Sequence, residues 1–383
     1  MIILCLITGL STVGFGLILP TFLFYAQNLG ATTAIATMII ATYSMGQFIA
    51  TPLWGRLSDR IGRKPVLLIS IFCQSICFIA LALARFIGGL VSGNISTAMA
   101  YVSDSTSEEK RAKWLGYIGA SISIGFMTGP AIGGLLGGQD ASSANLFYPG
   151  IVAASIALLT GIFAIFFLEE SLRPENRSSN TNKESSLLKN WGLVFKKPIL
   201  GEIVLLGFLM MFVTGTFETI FPLWTEARFD WGPMQVGYSM TYIGLTVTLV
   251  QVFVVGRIVP LLGEVNVIRL AFLGYSIGLF IMAQAPSWAV MIVGLTFAAS
   301  SGATFGTAAS SFVSKVAGDN EKGFVLGVYQ SCGWLGRISG PLAVGVVFGT
   351  IGVNAPLYLG ILVLIPCIII ISVVAKKVDL RKT

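Results

Sequence analysis

Long apolar runs, each close to the thickness of a bilayer, alternate with short polar segments along the whole chain. Crossing the hydrocarbon layer as a helix takes about 20 apolar residues. Twelve runs meet that length, near 1–23, 33–54, 65–84, 85–103, 114–137, 146–168, 201–224, 233–255, 267–284, 288–313, 323–349 and 355–375. The pattern predicts an all-α membrane protein of twelve transmembrane helices, called spans 1 to 12 below. One polar stretch is longer than the others. Residues 169–200 carry Ser, Asn, Glu and Lys with Pro174 and Pro198, which suits a solvated tether. The expected organisation is a six-helix bundle over 1–168, a cytoplasmic linker over 169–200, a second six-helix bundle over 201–375 and a cytoplasmic tail over 376–383. The opening 20 residues have neither a basic leading stretch nor a small-residue cleavage site, so they read as a first span and not as a signal peptide.

Composition agrees with a lipid environment. Charged residues make up 11% of the 383, against about 25% in soluble domains. The 44 glycines suit close helix contacts in lipid. The net charge of +7 has its cause in membrane orientation and not in nucleic acid. With both termini inside, and with Arg257 and Arg269 both counted with the loop between spans 8 and 9, 21 of the 24 Lys and Arg residues fall in cytoplasmic segments, the distribution the positive-inside rule demands. No histidine occurs, so His-based triads, His metal sites and imidazole relays are excluded. Cys5, Cys73, Cys77, Cys332 and Cys367 lie in apolar runs without a C-x-x-C pair and read as small buried hydrophobes. No metal or cofactor is expected, and nothing resembles an enzyme's nucleophile and base.

The two halves repeat. Gly55-Arg56-Leu57 and Gly62 return as Gly256-Arg257-Ile258 and Gly263, offset by 201, with Pro260 where the first copy has Asp59. Gly125-x-x-x-Gly129-Pro130 returns as Gly336-x-x-x-Gly340-Pro341, offset by 211. The difference of 10 must arise between Gly62 and Gly129. Spans 3 and 4 abut at Ala84–Arg85, whereas a turn at 284–288 separates spans 9 and 10. About ten residues, an outer turn and the start of span 4, are therefore expected to be absent at that junction.

Three motifs and one isolated acid carry candidate chemistry. Residues 55–67 form a short hairpin with four cations in nine residues and the acid Asp59 among them. Gly55 and Gly62 there permit tight turning and close helix approach. In span 5, Gly125, Gly129, Gly133 and Gly137 recur every fourth residue, giving one bare face, and Pro130 removes a backbone donor from it. In span 4, Arg85, Gly89, Gly93, Thr97 and Tyr101 recur at the same spacing, and Arg85 either snorkels to the outer surface or acts inside the span. Glu218 in span 7 is the one carboxylate set more than about a turn inside any span. Desolvation there would raise its pKa towards neutrality and make it a proton carrier. It is otherwise a structural acid bonded to a neighbouring helix. Its face carries Met211, Thr214, Gly215, Phe221 and Thr225, soft and aromatic groups that suit a lipophilic cation. Arg337 in span 11 is a counter-ion for Glu218 or a binder of an anionic substrate.

The hairpin pattern G-x-L-x-D-R-x-G-R-K resembles the loop between spans 2 and 3 of the major facilitator superfamily. The span-5 pattern G-x-x-x-G-P-x-x-G-G, which includes Gly133 and Gly134, resembles the signature of that superfamily's exporters, and Phe217-Glu218-Thr219 resembles span 7 of NorA-like quinolone exporters. Parallel six-helix halves are a feature of the same superfamily. The resemblance implies two pseudo-symmetric six-helix bundles around a central cavity and alternating access. It implies that Gly55, Asp59, Arg60, Gly62 and Arg63 latch the cytoplasmic side, with Asp59 meeting neighbouring arginines and the start of span 11 near Gly323. It also implies that Arg85 couples to proton movement. The expected function is proton-coupled export of small amphipathic compounds, drugs above all, by a multi-pass monomer of the bacterial inner membrane. The alternative is dedicated export of an endogenous metabolite such as a sugar or siderophore. Span 1 departs from the drug:proton antiporters in having no acid, and Asp104 lies too near the inner end of span 4 to serve a central site.

Overall fold

A computed structural model describes residues 1–80, 85–172, 194, 195, 197–317 and 322–379. Every long element is a helix, because in lipid a backbone must satisfy its own hydrogen bonds. Span 1 is Ile2–Asn28, span 2 Thr33–Ile61, span 3 Arg63–Ala80, span 5 Glu108–Gly137 and span 6 Phe147–Phe167. Span 7 is Pro198–Phe229, span 9 Glu264–Gln284, span 10 Trp288–Val316, span 11 Lys322–Thr350 and span 12 Ala355–Asp379. Among the described residues, ten helices are long and apolar enough to cross a membrane. Arg63–Ala80 and the two-part span 4 complete the twelve. Hydroxyls inside spans donate one turn back, as Thr12 does to the Thr8 carbonyl at 2.8 Å and Ser372 to that of Ile368 at 2.7 Å.

Three elements differ from expectation. Span 4 is interrupted: Arg85–Leu90 and Asn94–Ser105 are separate helices, so the face through Arg85, Gly89, Gly93, Thr97 and Tyr101 is not continuous. The freed backbone groups find side chains. Trp54 Nε1 donates to the Leu90 carbonyl at 2.6 Å, and Ser70 Oγ donates to that of Val91 at 2.6 Å while accepting from Gly93 N–H. Span 8 runs as Pro233–Leu249, a π-helical turn Val250–Val255 and Gly256–Leu262. The charged hairpin has almost no loop, since span 2 continues to Ile61 and span 3 starts at Arg63. Likewise Arg257 and Arg269, counted with the loop between spans 8 and 9, are both helical. Residues 173–193 and 196, most of the expected linker, and residues 81–84 at the span 3–4 junction lie outside the described residues.

The chain divides into two compact units, Met1–Asn180 with Thr225–Gly244, and Thr181–Trp224 with Leu245–Thr383. The division falls inside spans 7 and 8, so residues 225–244, expected with the second bundle, group with the first. In the first unit span 1 packs along spans 5 and 6, and span 3 along span 6. Leu4, Ile7, Leu17, Phe22, Ile71 and Ala153 form its core. In the second unit span 9 packs between spans 10 and 12. Phe272 and Phe305 meet there with ring centres 5.1 Å apart. A methyl on Gly278 would lie 2.6 Å from the Gly294 carbonyl oxygen, so spans 9 and 10 touch at backbone level. Outward faces are apolar, Phe166 being 75% exposed, as lipid contact requires.

Candidate functional site

The hairpin is built by one residue. Gly62 holds φ at 110°, a left-handed value that favours glycine, and turns span 2 into span 3 alone. Gly263 repeats this at φ 76° between spans 8 and 9. Gly55 provides neither the tight turn nor the close approach expected of it. It sits inside the span 2 helix, and a methyl there would meet nothing within 4 Å. Arg60 is exposed. Arg63 is the hub. Its side chain is 8% exposed and pairs with Asp59 at 2.6 Å and with Asp104 at 2.7 Å. Its Nη1 also donates to Ser58 Oγ, which donates to the Gly55 carbonyl. The Glu170 carboxylate accepts the backbone N–H groups of Arg63 at 2.8 Å and Lys64 at 3.2 Å, closing the start of span 3. Sequence reasoning dismissed Asp104 as too shallow and passed over Glu170. Both act at the membrane surface, where depth is no objection.

The span-5 glycine face closes on span 1. A methyl on Gly125 would lie 2.6 Å from the Gly9 carbonyl oxygen, and one on Gly129 would lie 2.7 Å from that of Val13. Gly133 and Gly137 meet Leu17 and Thr21 in the same way. Gly134, off that face, meets the start of span 8 at Pro233 and Gly237 within the same unit. Pro130 lies inside the helix against Gly16. The second unit repeats the crossing with span 11 on span 7. Gly336 meets Phe208 and Phe212, and Gly340 would place a methyl 2.5 Å from the Phe212 carbonyl oxygen.

Beside that second crossing lies the acid of span 7. Glu218 pairs with Arg337 across the two helices at 2.5 Å. Arg337 also lies over the Trp334 ring at 5.9 Å. Gly215 makes room for it, since a methyl there would be 3.1 Å from the Arg337 Cα. Of the two roles expected for Arg337, the geometry pairs it with Glu218 as a counter-ion. Glu218 has a cationic partner, and its side chain is 44% exposed. Of the residues expected around it, Met211 and Thr214 are half-buried, and buried Tyr275 approaches Thr214. Phe221 and Thr225 are 1% and 0% exposed and offer no surface to a substrate. Phe221 instead packs between Phe217 and Trp224, which donates to Asn354 at 2.9 Å. In the first unit the corresponding place holds an aromatic trio. Phe15 lies 4.9 Å from Tyr43 and 6.0 Å, edge-on, from Phe126. The helix at Arg85 is described, but its side chain lies outside the described residues. Among the described residues no group of His, Cys, Asp and Glu is arranged to hold a metal.

Residues 4–264 and 229–382 match the family model described as Major Facilitator Superfamily. The chain belongs to that superfamily. It is therefore a multi-pass secondary transporter of a small-molecule substrate and not an enzyme. Among members of the superfamily, it is 28% identical to Multidrug resistance protein 2 of Bacillus subtilis (strain 168), over 88% of this chain and 85% of the relative. It is 32% identical to the class B tetracycline resistance protein of Escherichia coli, over 70% and 69%. It is 26% identical to the quinolone resistance protein NorA of Staphylococcus aureus (strain MRSA252), over 94% and 92%. The crystal structure of the nucleoside transporter NupG superposes with a TM-score of 0.74 at 14% identity, over 98% of this chain and 98% of that one, and so shares the superfamily fold.

Proposed function

We propose that this protein is a proton-coupled exporter of small amphipathic compounds, drugs among them, working by alternating access in a bacterial inner membrane with both termini in the cytoplasm. Multidrug, tetracycline and quinolone resistance proteins are among its relatives. The observation that carries the proposal is the Glu218–Arg337 pair, an acid held inside span 7 by one cation. A proton arriving on Glu218 removes its charge, releases Arg337 and leaves that cation to be solvated or met by substrate. Proton and cargo thus compete for one constellation, the requirement for exchange. The aromatic trio Phe15, Tyr43 and Phe126 offers an apolar surface to an amphipathic cargo. The protein works as a monomer, with no nucleic-acid partner and no cofactor. Glu218→Gln keeps the shape and removes the titration. In proteoliposomes with an imposed proton gradient, ethidium accumulation should fall by roughly a hundredfold. Undiminished gradient-driven accumulation would refute proton carriage by Glu218.

Asp59, Arg63 and their neighbours act in the same proposal as the latch on the cytoplasmic side. Asp59→Asn should slow ethidium efflux about threefold, through loss of one partly exposed ion pair. Unchanged efflux would remove Asp59 from the latch. A second reading rests on Arg337, whose side chain is 29% exposed and able to meet an anion. Under it the cargo is an anionic or polar metabolite, and a susceptibility panel in a host lacking its own exporters would show no protection against cationic drugs.

A further inference from the structure

The two repeat offsets map the hub of the charged hairpin onto a second pair of charges. Gly62 and Gly263 are 201 apart, both hold left-handed φ, and each is followed by the first residue of a helix. That residue is Arg63 in span 3 and Glu264 in span 9. Gly129 and Gly340 are 211 apart, and the same step from Asp104 near the end of span 4 reaches Lys315 in the last turn of span 10. Glu264 pairs with Lys315, as Arg63 pairs with Asp104. The two ion pairs occupy equivalent places with their signs reversed. The more buried member is on the third helix of each half: Arg63 is 8% exposed and Glu264 13%, against 24% for Asp104 and 66% for Lys315. A serine hydroxyl joins each cluster, Ser58 beside Arg63 and Ser311 donating to Glu264 at 3.1 Å.

The reversal has a physical consequence. A helix favours anions at its start and cations at its end. Glu264 and Lys315 obey that preference, whereas Arg63 and Asp104 oppose it. The first unit accordingly supplies further acids: Asp59 pairs with Arg63, and Glu170 covers the start of span 3. In the second unit the position equivalent to Asp59 is Pro260, and an acid there would sit one turn before Glu264 and repel it. Pro260 carries no charge where an acid would oppose Glu264.

We propose that Glu264 and Lys315 are positioning residues for transport, a clamp between spans 9 and 10 that does in the second unit what Arg63 and Asp104 do in the first, and that its inverted polarity is what dispenses with the hairpin acid. The inference rests on the transporter reading but not on the identity of the cargo. The experiment uses the full chain in proteoliposomes, with ethidium as probe, and spin labels at positions 266 and 314 to report the spacing of the two helix ends. Glu264→Lys and Lys315→Glu each set two like charges together. Each should lengthen the label distance and lower efflux about tenfold. The double swap should restore both, leaving efflux within about threefold of wild type because the pair then opposes the helix ends. Adding Pro260→Asp should improve the swapped protein and impair the wild type, whereas Pro260→Asn, which removes the ring without adding charge, should affect both backgrounds alike. Single reversals that change neither distance nor efflux would overturn the proposal, as would a Pro260→Asp effect of the same sign in both backgrounds. If wild-type protein moves no ethidium, the export reading fails instead, and the label distances in the single and swapped variants decide the clamp.

Discussion

Spans 1 and 5 in the first unit and spans 7 and 11 in the second cross in the same way and present opposite chemistry beside the crossing. Gly125 and Gly129 rest on Gly9 and Val13; Gly336 and Gly340 rest on Phe208 and Phe212. The offsets are 211 for the glycine helix and 199 for the helix it rests on. Carrying these steps along each helix sets Leu19 opposite Glu218 and Phe126 opposite Arg337. One unit thus shows an apolar aromatic surface, and the other an ion pair, at the same point of one scaffold. The crossing is made by backbone against backbone, with glycine on both helices: Gly16 faces Gly129 and Pro130 in one unit, and Gly215 faces Arg337 in the other. The glycines fix the backbone approach in both units, while Phe126 and Arg337, one residue past Gly125 and Gly336, differ in chemistry.

The comparison is broken most directly by giving the second unit the side chains of the first. The double substitution Glu218→Leu with Arg337→Phe removes both charges together, which leaves no unpaired ion behind. Replacing a whole ion pair by apolar groups is often neutral for stability. Thermal stability should therefore stay close to wild type, while gradient-driven ethidium accumulation falls by about a hundredfold. A variant that still accumulates ethidium against a gradient would show that the two surfaces do not differ in the way that matters for coupling.

The crossings themselves should respond alike. A leucine side chain at Gly129 or at Gly340 has backbone atoms of the neighbouring helix in its path. Overpacking of this kind costs about 1–3 kcal/mol and forces the helices apart. Gly129→Leu and Gly340→Leu should each lower ethidium efflux about tenfold while impairing expression less, with Pro130→Ala milder than either. Measuring proton leak without substrate beside substrate-driven flux distinguishes loss of coupling from loss of packing. Full activity in one glycine variant and not in the other would end the equivalence of the two crossings.

Much of this architecture is legible in the amino-acid sequence. Apolar run lengths give twelve spans, because lipid imposes a length on every helix. The glycine spacing gives the bare face of span 5, and the repeat of Gly-x-x-x-Gly-Pro gives its twin in span 11. What the sequence does not disclose depends on rotation about helix axes and on neighbours far along the chain. Phe221 shares a helix with Glu218 yet is buried, because Phe217 and Trp224 enclose it. Sequence alone does not show that Arg337 reaches Glu218, since the two lie 119 residues apart on different helices, and only the folded chain brings them together. Glu170 looks like part of a solvated linker, since nothing local marks a carboxylate that will close the start of span 3. The Glu264–Lys315 pair is available from the repeat offsets, but the eye follows identical residues and not reversed charges.

The smallest effect belongs to the aromatic trio, and it sharpens the comparison from the apolar side. Phe126 is 36% exposed and touches Phe15 only edge-on, with ring planes at 82°. Truncating it removes one wall of a surface that Phe15 and Tyr43 still provide. Aromatic pairs of this geometry contribute about 0.5–1.5 kcal/mol beyond their buried area. Phe126→Ala should therefore raise the half-saturating ethidium concentration by about threefold and leave the maximal rate unchanged, since no charge or crossing is touched. Phe126→Tyr keeps the ring and should restore wild-type affinity. The charged side of the comparison supplies the control: Phe126→Ala should not alter the dependence of efflux on the proton gradient. A fall in maximal rate, or a changed gradient dependence, would mean that the apolar surface takes part in coupling, and the division of labour between the two units would have to be abandoned.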